Sequence, residues 1–250
     1  MQRVPIRVVL ALLALLLTSA APARQLSLQS PPQRVSLLEL YTSEGCSSCP
    51  PADRWLSNLK NDPRLWKQVV PIAFHVDYWD YIGWPDRFAT KAAGQRQQAY
   101  ARHRRIGSVY TPGLVVAGKE WRGWFSRPVL NLGKAREVGR LRLQVNGPDL
   151  NGEFESRHNH TAKLVLHVAR LGFGLRTRVR AGENEGRELE HDFVVLGYRI
   201  YPMTGQGLRY QVQGRLPGSS QQAPREALAT WVSVAGDPYP IQAAGGWLPE

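Results

Sequence analysis

Cys46 and Cys49 are the residues whose type and spacing most directly indicate chemistry in this sequence. The chain has two cysteines in total, so each has the other as its one intramolecular partner. A disulfide between them closes so short a ring that it restrains the unfolded chain little, which makes it a weak structural brace. The Cys-x-x-Cys spacing instead favours reversible thiol–disulfide exchange, in which one sulfur attacks and the second resolves the mixed disulfide.

The segments on both sides of the cysteines predict the elements that position them. Residues 35–41 are apolar and end at the cysteine loop, which predicts a buried strand. The apolar residues of segment 51–60 recur with a helical period, and segment 69–76 again reads as a strand. A helix between two strands makes a parallel pair natural. The cysteines would therefore lie between the end of a strand and the start of a helix.

The rest of the chain shows two different sequence patterns, one before and one after Pro148. Helices are predicted for residues 86–105 and for about 126–143, and an antiparallel hairpin is predicted for residues 114–124. Beyond Pro148 the sequence changes to short alternating runs separated by Gly, Asn and Pro, which predicts an antiparallel sheet or a small sandwich. The predicted domain boundary therefore lies between residues 24–147 and 148–250.

The N-terminus predicts export. Arg3 and Arg7 precede a short apolar run that ends in small residues, a pattern typical of a signal peptide cleaved after Ala23. The mature protein is then expected in the periplasm or secreted, without stable membrane insertion. Its strongly basic balance, with a formal net charge of +12 for the whole chain, could attract acidic partners. No nucleic-acid-binding motif accompanies the arginines, so nucleic acid is not an expected partner.

Four motifs carry a resemblance to a known family. They are the stretch at residues 39–53 that contains both cysteines, His-Val-Asp-Tyr-Trp-Asp at residues 75–80, Tyr110-Thr111-Pro112, and Gly-Glu-Asn-Glu-Gly at residues 182–186. Together they resemble exported bacterial proteins of the thioredoxin superfamily that are catalogued as a domain of unknown function. The resemblance implies an α/β fold: a thioredoxin-like domain with a helical insertion, followed by a small antiparallel, sandwich-like β domain. It also implies a cis peptide bond at Pro112, opposite the cysteine pair.

The sequence departs from thioredoxin itself at three places around the cysteines. Gly45 stands where thioredoxin has a tryptophan, Ser47 and Ser48 replace Gly-Pro, and Leu40 occupies the position of the buried proton-accepting aspartate. The adjacent Glu39 points to the opposite face of a strand. A reduction potential therefore cannot be transferred from thioredoxin to this chain.

The leading functional interpretation is an exported thiol–disulfide oxidoreductase that needs no cofactor and no metal. Cys46 is the expected nucleophile and the more exposed sulfur, Cys49 is the resolving cysteine, and a protein thiol or disulfide is the expected substrate or redox partner. The remaining candidate residues fall into two groups: Tyr78, Trp79, Thr111 and Pro112 for substrate binding, and Glu39, Asp77 and Asp80 for tuning the cysteines.

Two alternatives from other classes stay open at this point. One is a copper or other metal carrier that uses Cys46, Cys49 and His75, since soft thiolates suit Cu(I). The other is a non-catalytic binding module in which the disulfide only locks the loop. Two thiolates with one histidine make a small ligand set, and the sequence does not discriminate further.

Overall fold

The computed structural model describes residues 25–126, 129–134 and 136–249. The predicted signal peptide at residues 1–23 lies outside the described residues. Among those that are described, no helix is long and apolar enough to cross a membrane.

Two α-helices and two 3-10 helices occur in the described part of the chain. Helix α1 (Pro50–Asn58) begins with two prolines, which suit a helix start because the amide hydrogens they lack have no intrahelical acceptor there. Helix α2 (Lys91–Arg102) begins after Thr90, whose hydroxyl accepts a hydrogen bond from the backbone N–H of Ala93. The 3-10 helices are Leu59–Asn61 and Asp77–Ile82.

Strands make up most of the regular structure of the described residues. In chain order they are β1 (Gln25–Gln29), β2 (Ser36–Thr42), β3 (Val69–His75), β4 (Gly113–Val116), β5 (Lys119–Glu120), β6 (Gly139–Asn146), β7 (Asp149–Ser156), β8 (Leu164–Phe173), β9 (Leu175–Arg178), β10 (Glu188–His191), β11 (Val194–Pro202), β12 (Thr204–Gln206), β13 (Arg209–Arg215), β14 (Arg225–Val234) and β15 (Gln242–Trp247).

The strands form three sheets. The largest has eight strands in the order β15-β14-β8-β11-β3-β2-β4-β5. Within it β3 is parallel to both β2 and β11, and the other neighbours are antiparallel. A five-stranded antiparallel sheet has the order β1-β6-β7-β13-β12, and β9 pairs with β10 as a separate two-stranded sheet.

The eight-stranded sheet separates two apolar cores. Alternate residues of β8 face opposite sides, so that Leu166 packs with Leu143 and Phe154 of the five-stranded sheet, whereas Leu171 packs with the residues around α1 and α2. The core around Leu166 lies between the eight-stranded and the five-stranded sheets, as in a β-sandwich. The second core buries β2 and β3 completely, which fixes the strand end that leads into the cysteine loop.

The predicted fold class is wrong. The structure has 44% of residues in strands and 14% in helices, spread over several sheets, and is not an α/β thioredoxin-like domain with a helical insertion followed by a small β domain. The strands β8, β11, β14 and β15, which follow Pro148, belong to the same sheet as β2 and β3. The domain boundary between residues 147 and 148 falls in the turn that joins β6 to β7, and the two-domain division stays a prediction.

The predicted helix at residues 126–143 explains part of this error. Its last residues form strand β6, in which Leu141, Leu143 and Val145 are buried between more exposed neighbours. That alternation has the period of a strand, not of a helix. Residues 127, 128 and 135 of the predicted helix lie outside the described residues. The predicted helix at residues 86–105 exists as the shorter α2.

Three local predictions are confirmed. Strands β2 and β3 are parallel and are connected through α1, and β4 forms a hairpin with β5. The cysteine loop therefore does lie between a strand end and a helix start.

Shortening a buried side chain of β6 tests its place in the sandwich core. Leu143→Ala is expected to lower the free energy of unfolding by about 2–5 kcal/mol, because Leu143 is fully buried and its loss leaves a cavity. The matched control is Gln144→Ala, at the next and exposed position of β6, with an expected change within about 0.5 kcal/mol. Urea denaturation followed by tryptophan fluorescence measures both. Equal stabilities of the two variants would contradict the burial of Leu143.

Candidate functional site

Cys46 and Cys49 are joined by a disulfide bond, with Cα atoms 5.4 Å apart. Two backbone hydrogen bonds shape the loop: the N–H of Cys46 donates to the carbonyl of Ser43, and that of Cys49 donates to the carbonyl of Cys46. Cys49 is the N-cap residue of α1, and its side chain makes no capping hydrogen bond to the first turn of the helix. Because Pro50 and Pro51 lack amide hydrogens, the start of α1 offers few free donors to stabilise a thiolate.

Both cysteines are completely buried, at 0% relative exposure each. The expectation that Cys46 is the more exposed sulfur is therefore wrong. Two segments distant in sequence pack against the cysteine loop and against each other, since a Cβ atom at Gly182 of one would lie 3.2 Å from Cδ1 of Ile82 in the other.

The first of these segments is residues 182–186, which we call the cover turn. The side chain of Asn184 is fully buried, and its Nδ2 donates to the carbonyl oxygens of Glu44 at 2.8 Å and of Cys46 at 2.9 Å. The carboxylate of Glu183 accepts a hydrogen bond of 3.0 Å from the N–H of Ser47. Three hydrogen bonds thus hold the cover turn against the cysteine loop.

The second segment is the 3-10 helix Asp77–Ile82. A Cβ atom at Gly45 would lie 3.1 Å from Cδ1 of Ile82 and 3.4 Å from Cβ of Trp79, so the close approach of this helix leaves little room for a side chain there. The Nε1 of Trp79 donates to the hydroxyl of Thr111 at 2.7 Å, which ties the helix to the Thr111-Pro112 bond. That peptide bond is cis, as the resemblance implied.

An open groove adjoins the cysteine loop. Ser48 and Pro112 line it together with the aromatic side chains of Tyr110, Trp124 and Phe125, and its volume is about 480 Å³. The Oγ of Ser48 lies 3.4 Å from the Sγ of Cys46. Since a disulfide sulfur carries no hydrogen, the hydroxyl is the donor of this contact. The groove therefore meets the cysteine loop at Ser48, beside Cys46.

Buried ionisable side chains lie behind the cysteine loop. We call Glu44, Asp53, His75, Asp86 and His191 the acid–histidine cluster; each is at most 7% exposed. Nδ1 of His75 lies 2.6 Å from Oδ2 of Asp86, and the same oxygen accepts from the N–H of Glu44 at 2.9 Å. Nε2 of His191 lies 3.4 Å from Oε1 of Glu44. Two residues of this cluster, Glu44 and Asp53, flank the cysteine pair in sequence.

The cluster perturbs the protonation of its members. Burial alone would lower the pKa of His75, but the charge of Asp86 and the bond to it outweigh burial and raise this pKa. The same pairing overcomes burial at Asp86 and lowers the pKa of that carboxyl. At Glu44, the interaction with His191, together with the hydrogen bond from Nε1 of Trp84, overcomes burial and lowers the pKa. At Asp53, burial prevails and raises the pKa of the carboxyl.

A cavity gives the cluster access to solvent away from the groove. It lies between α1 and β10, has a volume of about 640 Å³, and is lined by Asp53, His191 and Asp192 among others. The carboxylate of Asp192 pairs there with Lys60 at 2.6 Å. Asp53 and His191 are the members of the cluster that line this cavity.

The predicted tuning residues fall in different places. Glu39 is buried in a separate network, where it binds Arg96 and the hydroxyls of Tyr41 and Tyr100, and none of its hydrogen bonds reaches the cluster. Asp80 is connected to the cluster, because its carboxylate accepts from the N–H of Asp86 at 3.0 Å. Asp77 lies near Gly94 of α2, where its Oδ1 would be 3.2 Å from a Cβ atom.

The predicted substrate-binding residues lie around the cysteine loop. Trp79 and Thr111 are hydrogen-bonded to each other, and Pro112 lines the groove. The hydroxyl of Tyr78 instead donates to Gln97 of α2 at 3.0 Å. For the alternative of a metal carrier, no group of three or more His, Cys, Asp or Glu side chains with suitable geometry occurs among the residues described.

Sequence reasoning missed most of this site. Glu44 and Asp53 belong to the cysteine motif and Asn184 to the Gly-Glu-Asn-Glu-Gly motif, yet their type alone did not assign them a role. Asp86 and His191 reach the site from other segments, and no local pattern marks them. The one usable signal was the position of two acids immediately around a cysteine pair.

Fold and site together define a strand-rich protein with a covered Cys-x-x-Cys disulfide beside a buried acid–histidine cluster. The chain belongs to the family described as "Protein of unknown function (DUF1223)", whose model matches residues 37–233. This confirms the resemblance to a bacterial family of unknown function, and it does not bear on the thioredoxin superfamily.

Two solved structures are similar to this one. A crystal structure of a protein from Agrobacterium tumefaciens is 23% identical, covers 86% of this chain and 94% of its own, and has a TM-score of 0.59. HBP35 of Porphyromonas gingivalis is 14% identical, covers 88% of this chain and 76% of its own, and has a TM-score of 0.54. At these identities the likeness concerns the fold alone. No curated protein matches the sequence.

The His75–Asp86 pair predicts a pH dependence of stability. The folded pKa of His75 is raised above its unfolded value of about 6.5, so its contribution is fully present below that pH and is lost as pH rises through the folded pKa. Asp86, Asp53 and Glu44 supply the negative charge that faces this ring.

We therefore expect the free energy of unfolding of the wild type to fall more steeply above about pH 6.5 than that of His75→Gln. Urea denaturation between about pH 5 and pH 9 measures the two slopes. His158→Gln, a change at an exposed histidine, serves as the control and should follow the wild type. Parallel curves for His75→Gln and the wild type would show that His75 is not held in its charged form by folding.

Proposed function

We propose that this protein is an exported thiol–disulfide oxidoreductase whose Cys46–Cys49 pair is reversibly reduced and reoxidised. The observation that carries the proposal is the buried acid–histidine cluster, two of whose members, Glu44 and Asp53, flank the cysteine pair in sequence. Buried groups with perturbed pKa values concentrate at functional sites. A short-ring disulfide by itself stabilises little, so it gives no reason to keep such a cluster buried beside it.

The reaction that we propose is exchange with a protein dithiol. A substrate thiolate attacks Sγ of Cys46, the bond to Cys49 breaks, and Cys49 leaves as a thiolate. The second substrate thiol, as its thiolate, attacks the substrate sulfur of the mixed disulfide and releases Cys46 as a thiolate. The substrate ends oxidised, and the pair has gained two electrons. In the reverse direction, reduced Cys46 and Cys49 reduce a substrate disulfide by the same steps.

In the proposed reaction, the acid–histidine cluster supplies protons to the cysteine thiolates. Two protons are needed to neutralise the two thiolates that reduction produces. Asp53 lies one helical turn after Cys49, and its N–H donates to the carbonyl of Cys49 at 3.1 Å. Burial raises the pKa of its carboxyl, and the cavity between α1 and β10, which Asp53 lines, is the route by which we propose that protons reach it. Asp53 is thus the proton donor that we assign to the pair.

The groove beside Ser48 and Pro112 is the substrate-binding site that we propose. Ser48 and Pro112 bring its wall beside Cys46, and Trp79 and Thr111 hold the neighbouring segments together. We assign to it an extended segment of the substrate protein. Export, which rests on the pattern of residues 1–23, would place the protein in an oxidising compartment where such a pair cycles.

A second candidate function is a non-catalytic binding module with a structural disulfide. The observation that favours it is the complete burial of both cysteines, because an inaccessible disulfide resists attack. The two candidates differ in one measurable property: whether a thiol at position 46 forms mixed disulfides.

Removing the resolving cysteine tests the proposal. Cys49→Ser leaves Cys46 able to form a mixed disulfide but unable to resolve it, so we expect a stable adduct when the purified variant is incubated with glutathione disulfide or with a peptide disulfide. Mass spectrometry of the intact protein counts the adducts. Cys46→Ser is the matched control and should form fewer, since Sγ of Cys46 lies 3.4 Å from the hydroxyl of Ser48, a residue that lines the groove. If no adduct forms on either variant, also after Asn184, which binds the carbonyl of Cys46, is changed to Ala, the exchange function is wrong and the structural disulfide remains.

A further inference from the structure

The cover turn at residues 182–186 comes from a segment more than a hundred residues away from the cysteines and closes one side of them. We propose that this turn is a removable cover and that Asn184 is its positioning residue: the disulfide becomes open to attack when the contacts of Asn184 and Glu183 with the cysteine loop are released. The proposal deepens the proposed function and rests on it for the biological use of the cover, but the covering itself can be measured separately.

Asn184 supplies the central contacts of the cover. Its side-chain nitrogen satisfies two backbone carbonyls, that of Glu44, two residues before the disulfide ring, and that of Cys46, the first residue of the ring. Its side-chain oxygen accepts from Nη1 of Arg187 at 2.9 Å, which fixes the orientation of the amide. An amide used in this way is replaceable only by a group that donates two hydrogen bonds.

Glu183 supplies the outer contact. Its side chain reaches from the exposed surface to the N–H of Ser47, between the two cysteines. Bonds from Ser47 lower the pKa of Glu183, so the carboxylate is the form that makes this contact. Together Glu183 and Asn184 occupy an N–H and two carbonyl groups of the cysteine loop.

The cover turn is also shaped by backbone hydrogen bonds among its own and its neighbouring residues. Within it, the N–H of Glu185 donates to Gly182, that of Arg187 donates to Asn184, and that of Gly186 donates to Val179. The turn joins β9 and β10, which pair with each other and with no strand of the two larger sheets. The bonds that hold the cover closed are therefore side-chain bonds across the contact, whereas the bonds that shape it are internal. This division allows the contact to open while the turn stays folded.

Opening would also free groups that a substrate can use. The N–H of Ser47 and the carbonyls of Glu44 and Cys46 are the backbone groups that Glu183 and Asn184 occupy. An extended peptide segment offers both amide donors and carbonyl acceptors, so its backbone can replace the two side chains. The ligand class that competes with the cover is therefore an extended polypeptide segment that carries a thiol or disulfide.

The rate at which a small reductant opens the disulfide tests the cover. The full-length oxidised protein is mixed with tris(2-carboxyethyl)phosphine, and free thiols are counted by alkylation and mass spectrometry over time. Asn184→Ala and Asn184→Asp should both be reduced about tenfold faster than the wild type, because neither side chain can donate to the two carbonyls. Glu185→Ala, in the same turn but exposed, is the matched control and should keep the wild-type rate.

Faster reduction through general loss of stability must be separated from local opening. Leu143→Ala weakens the remote sandwich core and should leave the rate unchanged under conditions where it stays folded. Reduction of Asn184→Ala should also be insensitive to low urea concentrations, as local opening exposes little surface. The cover is refuted if Asn184→Ala and the wild type are reduced at the same rate, or if Leu143→Ala accelerates reduction as much as Asn184→Ala.

The experiments distinguish a wrong cover hypothesis from a wrong exchange hypothesis. The exchange hypothesis is tested by incubating the double variant Cys49→Ser, Asn184→Ala with glutathione disulfide. Fast reduction of Asn184→Ala by the phosphine, without adducts on the double variant, supports the cover and rejects exchange. Adducts on Cys49→Ser at the same rate with and without Asn184→Ala support exchange and reject the cover.

Discussion

The burial of five ionisable side chains behind the Cys46–Cys49 disulfide is the constraint on which the rest of the site depends. Charges removed from water are costly unless they are paired, and here Asp86 compensates His75 while His191 faces Glu44. These pairs need the ends of β3 and β10, the loop after β2 and the segment before α2 to converge. The cysteine loop is therefore held by the same contacts that neutralise the cluster, since Glu44 belongs to both.

The disulfide has a different environment on each of its sides. The groove beside Ser48 and Pro112 is open and aromatic, the cover turn is polar and closed, and the cavity between α1 and β10 reaches the acids. This separation allows a protein substrate and protons to approach by different routes. The cysteines are completely buried, so exchange requires that the contacts of the cover turn open first. If those contacts never open, the disulfide is a structural bond.

The local part of this structure could be predicted from the sequence, and the long-range part could not. The apolar run before Cys46 and the helical period after Cys49 determine β2 and α1, because burial and backbone period act within a few residues. By contrast, β6 was mistaken for a helix although Leu141, Leu143 and Val145 alternate, and its partners β1 and β7 set its place. His191 and Asn184 reach the cysteine loop from far along the chain, which no periodicity reports. The fold class was wrong for the same reason: which strands join one sheet is decided by pairings between distant segments.

The reduction potential of the Cys46–Cys49 pair tests the central claim most directly. The purified oxidised protein is equilibrated with defined ratios of reduced and oxidised dithiothreitol or glutathione, and the reduced fraction is counted by thiol labelling. Exchange proteins have potentials from about −270 to −120 mV, and our account predicts a value within that range. A potential below about −300 mV would contradict it, because a disulfide of that stability is a structural bond.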